Sequence, residues 1–62
     1  MNYAEAIKAL RKKMLITQTE LADLLGVAFV SVNRWENGAY EPTMKAKRKL
    51  AALFDEHGIE VK

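Results

Sequence analysis

The chain has 62 residues, no cysteine and a formal net charge of +2. This length allows one domain at most, over residues 1–62, and the lack of cysteine excludes a disulfide framework and a thiolate metal site. No apolar stretch approaches the roughly 20 residues of a membrane span, and the N-terminus lacks the charge order of a signal peptide, so we expect a cytoplasmic protein without membrane contact.

Two helices are predicted in the first half of the chain. The first, over residues 3–14, is indicated by apolar residues at intervals of three and four, namely Ile7, Leu10 and Met14. Thr17 with Glu20 three residues later is the pattern of a capping box, so a second helix begins after Thr17. Gly26 is the residue type expected just past a helix end, which makes this helix short.

Two further helices are predicted in the second half. The third covers about residues 29–37, because the Asn-Gly pair at its end is typical of a helix C-terminus. The fourth follows Pro42 and Thr43 and stops at Gly58, which leaves residues 58–62 as a tail. Gly, Pro and aromatic residues are scarce. The expected fold class is therefore all-α, a compact bundle of four to five helices.

The second and third helices form a helix-turn-helix pattern over about residues 17–37, which presents the third helix outward. At roughly 100° per residue, Val32 and Trp35 share one face of this helix, and we expect that face to be buried. Phe29 lies between the two faces. The opposite arc carries the side chains that a partner would meet, which are Val30, Asn33, Arg34 and Asn37.

The outward arc has the chemistry that reads a major groove. Arg34 can bond to guanine O6 and N7, Asn33 can bond to adenine N6 and N7, and Val30 can cover a thymine methyl group. The alternative is a solvated helix face with one incidental valine. Such a face more often carries Lys or Glu than Val and Phe, so the pattern favours DNA.

The stretch TQTELADLLGVAFVSVNRWENGAYEP, residues 17–42, resembles the lambda-repressor-like, or XRE-type, helix-turn-helix family. With the flanking helices, the resemblance covers nearly the whole chain. It implies sequence-specific binding of double-stranded DNA and regulation of transcription. It also implies base contacts from the first residues of the recognition helix and from those one turn later, here Phe29, Val30, Asn33 and Arg34.

The resemblance also assigns roles away from the bases. It implies phosphate contacts by Gln18 and Asn37, to which we add Ser31 beside the buried face. It implies a structural ion pair between Arg11 and Glu36.

The chain departs from the family at the start of the third helix. The family often has a polar residue where Phe29 stands, and Ser or Thr where Ala28 stands. Alanine offers no side-chain cap, so the third helix is expected to lose about 1 kcal/mol at this end.

The residues indicate no catalytic site. One histidine, no cysteine, no Gly-rich phosphate loop and no carboxylate pair at metal spacing leave no basis for an enzyme, a metal, a cofactor or a small-molecule ligand. The basic residues of the fourth helix, Lys45, Lys47, Arg48 and Lys49, are mostly expected to form a solvated face, with phosphate contact as the alternative.

Other interpretations stay open from the sequence. The chain can be a DNA-targeting or interaction module of a larger protein or an antitoxin, or a protein-binding bundle that docks through Phe29 and Val30. A weak homodimer on DNA is expected for a bacterial or phage-like regulator of this kind at the nucleoid. Either the contact between the two copies uses Phe54, Ile59 and Val61, or residues 58–62 form a loose tail.

Overall fold

Four α-helices occupy most of residues 1–61, the part of the chain that the computed structural model describes. They are α1 (Tyr3–Met14), α2 (Gln18–Leu25), α3 (Phe29–Glu36) and α4 (Met44–Glu56). No strand occurs among those residues, and the predicted all-α bundle is confirmed. Within them, every helix is too short or too polar to cross a membrane. Lys62, the last residue of the predicted tail, lies outside the described residues.

Side-chain caps explain where the helices begin. Thr17 and Glu20 form the predicted capping box at α2, with hydrogen bonds of 2.9 and 3.1 Å to each other's backbone N–H. Asn2 and Glu5 form a second capping box at α1, which the sequence reasoning did not anticipate. Ala28 offers no side-chain cap to α3, as predicted.

The four helices of residues 1–61 all end in the same hydrogen-bonded turn, the Schellman motif. In α2, the Gly26 N–H donates to Asp23 and the Val27 N–H donates to Ala22. The motif needs a left-handed residue just after the helix, and four residues take this role: Gly26 (φ 70°), Gly38 (φ 77°), Gly58 (φ 67°) and Leu15 (φ 57°). Each connection is therefore fixed by backbone hydrogen bonds next to the helix that it leaves.

One hydrophobic core lies between the helices. α3 packs against α1 and α2, and α4 packs against the same two helices. Val32 and Trp35 of α3 are buried, which confirms the predicted inward face. The other large buried side chains are Ile7, Leu10, Leu21, Leu25, Leu50, Phe54 and Ile59.

The apolar residues near the C-terminus pack in this core. Phe54 and Ile59 are buried, and the half-buried Val61 packs against them as part of the same cluster. The Ile59 N–H also donates to the Phe54 carbonyl at 2.8 Å. Residues 58–61 are thus not a loose tail. The interpretation of Phe54, Ile59 and Val61 as a contact between copies is wrong for the first two, because their surfaces are already used within the chain.

Two lysines bind backbone carbonyls at the ends of neighbouring helices. Lys49 Nζ donates to the Leu25 carbonyl at 3.0 Å, and Lys13 Nζ donates to the His57 carbonyl at 2.8 Å. A cation at a helix C-terminus complements the negative end of the helix dipole. Lys49, although exposed, therefore joins α4 to α2, and Lys45 and Arg48 are exposed as well, as expected for a mostly solvated face.

Replacing Leu15 with glycine should stabilise the protein. Leu15 is 89% exposed and holds a left-handed backbone, which costs a residue with a Cβ about 1 to 2 kcal/mol. Glycine removes that strain but loses more chain entropy on folding, so we expect a net gain of about 0.5 to 1 kcal/mol in unfolding free energy. Urea denaturation measures it.

Leu15→Ala is the matched control. It removes the same exposed side chain and keeps the strained backbone, so it should show no such gain. Equal stability of the glycine and alanine variants would contradict the assignment of strain to this position.

Candidate nucleic-acid interface

The turn between α2 and α3 sets how α3 is presented. α2 ends at Leu25, the left-handed Gly26 reverses the chain, and the half-buried Val27 packs against the core. α3 begins two residues later at Phe29. This short turn leaves one face of α3 against α1 and α2 and turns the other face to solvent, which is the helix-turn-helix arrangement.

The predicted outward residues of α3 are found on its outer side. Val30 is 46% exposed, and Arg34 and Asn37 are also exposed. Asn33 is half-buried at the edge of this face. Phe29, which the helical wheel placed between the two faces, is 50% exposed at the first position of the helix. The outer surface thus combines two apolar side chains with a guanidinium and two amides.

Glu36 is the one charged side chain of residues 1–61 that is buried. Its two carboxylate oxygens accept hydrogen bonds from Arg11 Nε at 2.6 Å and Arg11 Nη2 at 2.8 Å. Gln18 Nε2, at the start of α2, donates to Glu36 Oε1 at 3.1 Å. The ion pair that the family resemblance assigned to Arg11 and Glu36 is therefore present in bidentate form, and Gln18 joins it.

The hydrogen bonds continue from this carboxylate to the outer face of α3. Asn33 Nδ2 donates to Gln18 Oε1 at 3.3 Å, and Asn37 Nδ2 donates to Asn33 Oδ1 at 3.1 Å. We call these five residues, Arg11, Glu36, Gln18, Asn33 and Asn37, the Glu36 network. It runs from a buried ion pair to exposed amides, and it includes Gln18 and Asn37, two of the three residues expected to contact phosphates.

The amides of the Glu36 network keep hydrogen-bonding capacity for a ligand. A carboxamide has two N–H donors and an oxygen with two lone pairs. Gln18 and Asn37 each use one N–H in the network, so each keeps a second N–H. Asn33 uses one N–H and one lone pair, so it keeps one donor and one acceptor.

The environment of Glu36 shifts its pKa. Burial raises the pKa, whereas the hydrogen bonds from Arg11 and Gln18 and the charges of Arg11 and Lys8 lower it by more. The net pKa of Glu36 lies below its ordinary value. The hydrogen bond with Glu36 likewise raises the pKa of Arg11, so the pair is ionised at neutral pH.

The loop after α3 holds a residue that the sequence reasoning passed over. From the sequence, Tyr40 is expected only to connect the third and fourth helices. Its ring centre lies 5.5 Å from the Arg34 guanidinium carbon, and the residue is 62% exposed. The half-buried Ser31 lines a shallow cleft with both of them. Ser31 is thus near Arg34 and takes no part in the Glu36 network. The available signal for Tyr40 was an aromatic residue in the short loop that directly follows the recognition helix.

The fold and this face define a helix-turn-helix DNA-binding domain. Residues 7–60 match a helix-turn-helix family model. A protein named as an uncharacterized HTH-type transcriptional regulator of Archaeoglobus fulgidus is 39% identical over 49 residues, which are 79% of this chain and 69% of that protein. No solved structure matches the chain significantly.

The chain belongs to the helix-turn-helix family, of the XRE, lambda-repressor-like type. The resemblance seen in the sequence is therefore confirmed. So is the function at the level of the class, a DNA-binding regulator of transcription.

The stability of the protein should fall in acid through Glu36. Because the pKa of Glu36 is lowered by folding, its contribution is fully present above the ordinary glutamate pKa of about 4.3 and is lost as the pH falls through the lower folded pKa. Glu36→Gln should cost about 1 to 3 kcal/mol at pH 7, since Arg11 is partly exposed, and should flatten this acid dependence. Urea denaturation between pH 7 and pH 3 measures both effects.

Glu41→Gln is the control, because Glu41 forms an exposed ion pair with Lys47 at 3.2 Å. Its effect on the unfolding free energy should stay within about 0.5 kcal/mol. An equal loss in the two variants would show that burial of Glu36 is not the cause.

Proposed function

We propose that the protein binds double-stranded DNA sequence-specifically, with α3 in the major groove. The observation that carries the proposal is the outer face of α3, on which Val30 and Arg34 are exposed beside the open amides of the Glu36 network. A major groove about 12 Å wide admits one α-helix. We propose accordingly that the protein acts in the cytoplasm, at the nucleoid.

The base contacts are proposed for the outer face of α3. Arg34 has the planar fork of donors that matches O6 and N7 of guanine. Asn33 keeps one donor and one acceptor, which is the pair that N7 and N6 of adenine require. Val30 and Phe29 are the exposed apolar side chains at the start of the helix, where they can cover thymine methyl groups.

The phosphate contacts are proposed for donors at the edges of this face. A phosphate oxygen accepts hydrogen bonds, and Gln18 and Asn37 each keep an amide N–H for it. Gln18 is also the first residue of α2, where free backbone N–H groups and the helix dipole favour an anion. The Ser31 hydroxyl is the third proposed contact.

We expect Arg34→Ala to relax the base preference of the protein. The variant loses the bidentate contact, so its affinity for a duplex selected by the wild type should fall by about 1 to 3 kcal/mol. Duplexes would be selected from a random pool, and fluorescence anisotropy would give the affinity for the selected duplex and for single-base variants of it. Unchanged base preference in the variant would contradict the role of Arg34.

Ser31→Ala is the matched comparison, because it removes a proposed phosphate contact and leaves the Glu36 network, which supports Asn33, intact. Its affinity should fall about equally for all duplexes. A salt titration of the wild type separates DNA binding from docking of Phe29 and Val30 on a protein, since phosphate contacts make affinity fall steeply with added salt. An affinity that barely responds to salt would overturn the proposal.

We further propose that the protein pairs on DNA and is a monomer or weak dimer without it. The fold extends 25 Å along its longest principal axis, and half-sites of two-fold operators lie about 34 Å apart. One copy therefore covers one half-site. Analytical ultracentrifugation should show mainly monomer alone and two copies per duplex with the selected DNA. One copy per duplex would rule pairing out.

A further inference from the structure

Arg34 has one aromatic neighbour and no polar partner among residues 1–61. Its guanidinium carbon lies 5.5 Å from the centre of the Tyr40 ring, within the range of a cation–π interaction. No hydrogen bond or salt bridge within that part of the chain involves its side chain. Arg34 is the residue best suited to bind guanine. It therefore contacts an aromatic ring, and no acceptor within that part of the chain competes with the base for its N–H groups.

The loop that carries Tyr40 is fixed on both sides of the ring. Gly38 is left-handed, and the Ala39 N–H donates to the Arg34 carbonyl at 3.1 Å, which folds the chain back beside the last turn of α3. After Tyr40, the exposed Glu41 carboxylate pairs with Lys47 of α4 at 3.2 Å, a contact that adds little by itself. Pro42, next along the chain, is buried. Tyr40 is thus positioned by the fold, although its own ring is largely exposed.

Arg34 has five N–H donors, and contact with the ring leaves donors available for a base. Aromatic rings attract a guanidinium through its charge and its planar face, while the N–H donors of Arg point outward from its edges. A long side chain that is already ordered also loses less rotamer entropy when it binds. Tyr40 therefore limits where the guanidinium goes and leaves its donors free.

We propose that Tyr40 is a positioning residue for base recognition by Arg34. The proposal rests on the proposed function, because it assumes that Arg34 contacts a base. It adds that the specificity of this contact depends on a residue outside the helix-turn-helix, in the loop between α3 and α4. Tyr40 itself is not proposed to contact a base, and it acts through Arg34.

The test compares Tyr40→Ala, Tyr40→Phe and Arg34→Ala on duplexes selected by the wild type. A cation–π contact at an exposed site corresponds to about a two- to fivefold change in affinity. Tyr40→Ala should weaken binding to the selected duplex by that factor and should have no effect once the base pair recognised by Arg34 is changed. Tyr40→Phe keeps the ring and should match the wild type. In the Arg34→Ala background, Tyr40→Ala should cause no further loss.

The other outcomes are also decisive. An equal, sequence-independent loss in Tyr40→Phe and Tyr40→Ala would assign a phosphate contact to the hydroxyl and would overturn the proposal. The proposal would also be overturned if Arg34→Ala changed the base preference and Tyr40→Ala left it unchanged. If Arg34→Ala leaves base preference intact, the proposed role of Arg34 fails first and this proposal fails with it. Urea denaturation of Tyr40→Ala checks that the exposed ring affects binding and not folding.

Discussion

The need to pair one buried carboxylate determines how the recognition helix sits in this protein. An ionised group removed from water must find charge and hydrogen-bond partners, or folding becomes unfavourable. Glu36 ends α3, and its partners Arg11 and Gln18 belong to α1 and α2. A shift or rotation of α3 would leave a buried charge unpaired. Contacts between apolar side chains alone would tolerate a small displacement of the helix. The carboxylate thus adds direction to contacts that are otherwise non-directional.

The same hydrogen bonds connect the interior with the surface that meets DNA. Gln18 donates to the buried carboxylate and accepts from Asn33, which in turn accepts from Asn37 on the exposed side. Polar side chains on a helix surface ordinarily sample several rotamers, and ordering them on binding costs free energy. Here part of that ordering is already present in the free protein. The loop after α3 supplies a second support of this kind, because Tyr40 lies against Arg34.

Sequence reasoning predicted the parts of this structure that local chemistry decides. The capping box of Thr17 and Glu20 and the left-handed Gly26 gave the bounds of α2, and helical periodicity gave the inward face of α3. The Arg11–Glu36 pair was available only from the family resemblance, since the two residues are 25 positions apart. The contact between Tyr40 and Arg34 depends on how the loop after α3 folds back, which the sequence of that loop does not indicate.

The uniform helix endings have a consequence for how fast the chain folds. Each Schellman turn joins residues that are neighbours in sequence, and the helices that follow are short and closely connected. Most close approaches in residues 1–61 accordingly join residues near one another along the chain. Helical proteins dominated by such local contacts fold within about microseconds to milliseconds. A chain that refolds this quickly recloses before a protease cleaves it, so its exposure to proteolysis follows its equilibrium stability more closely than its unfolding rate.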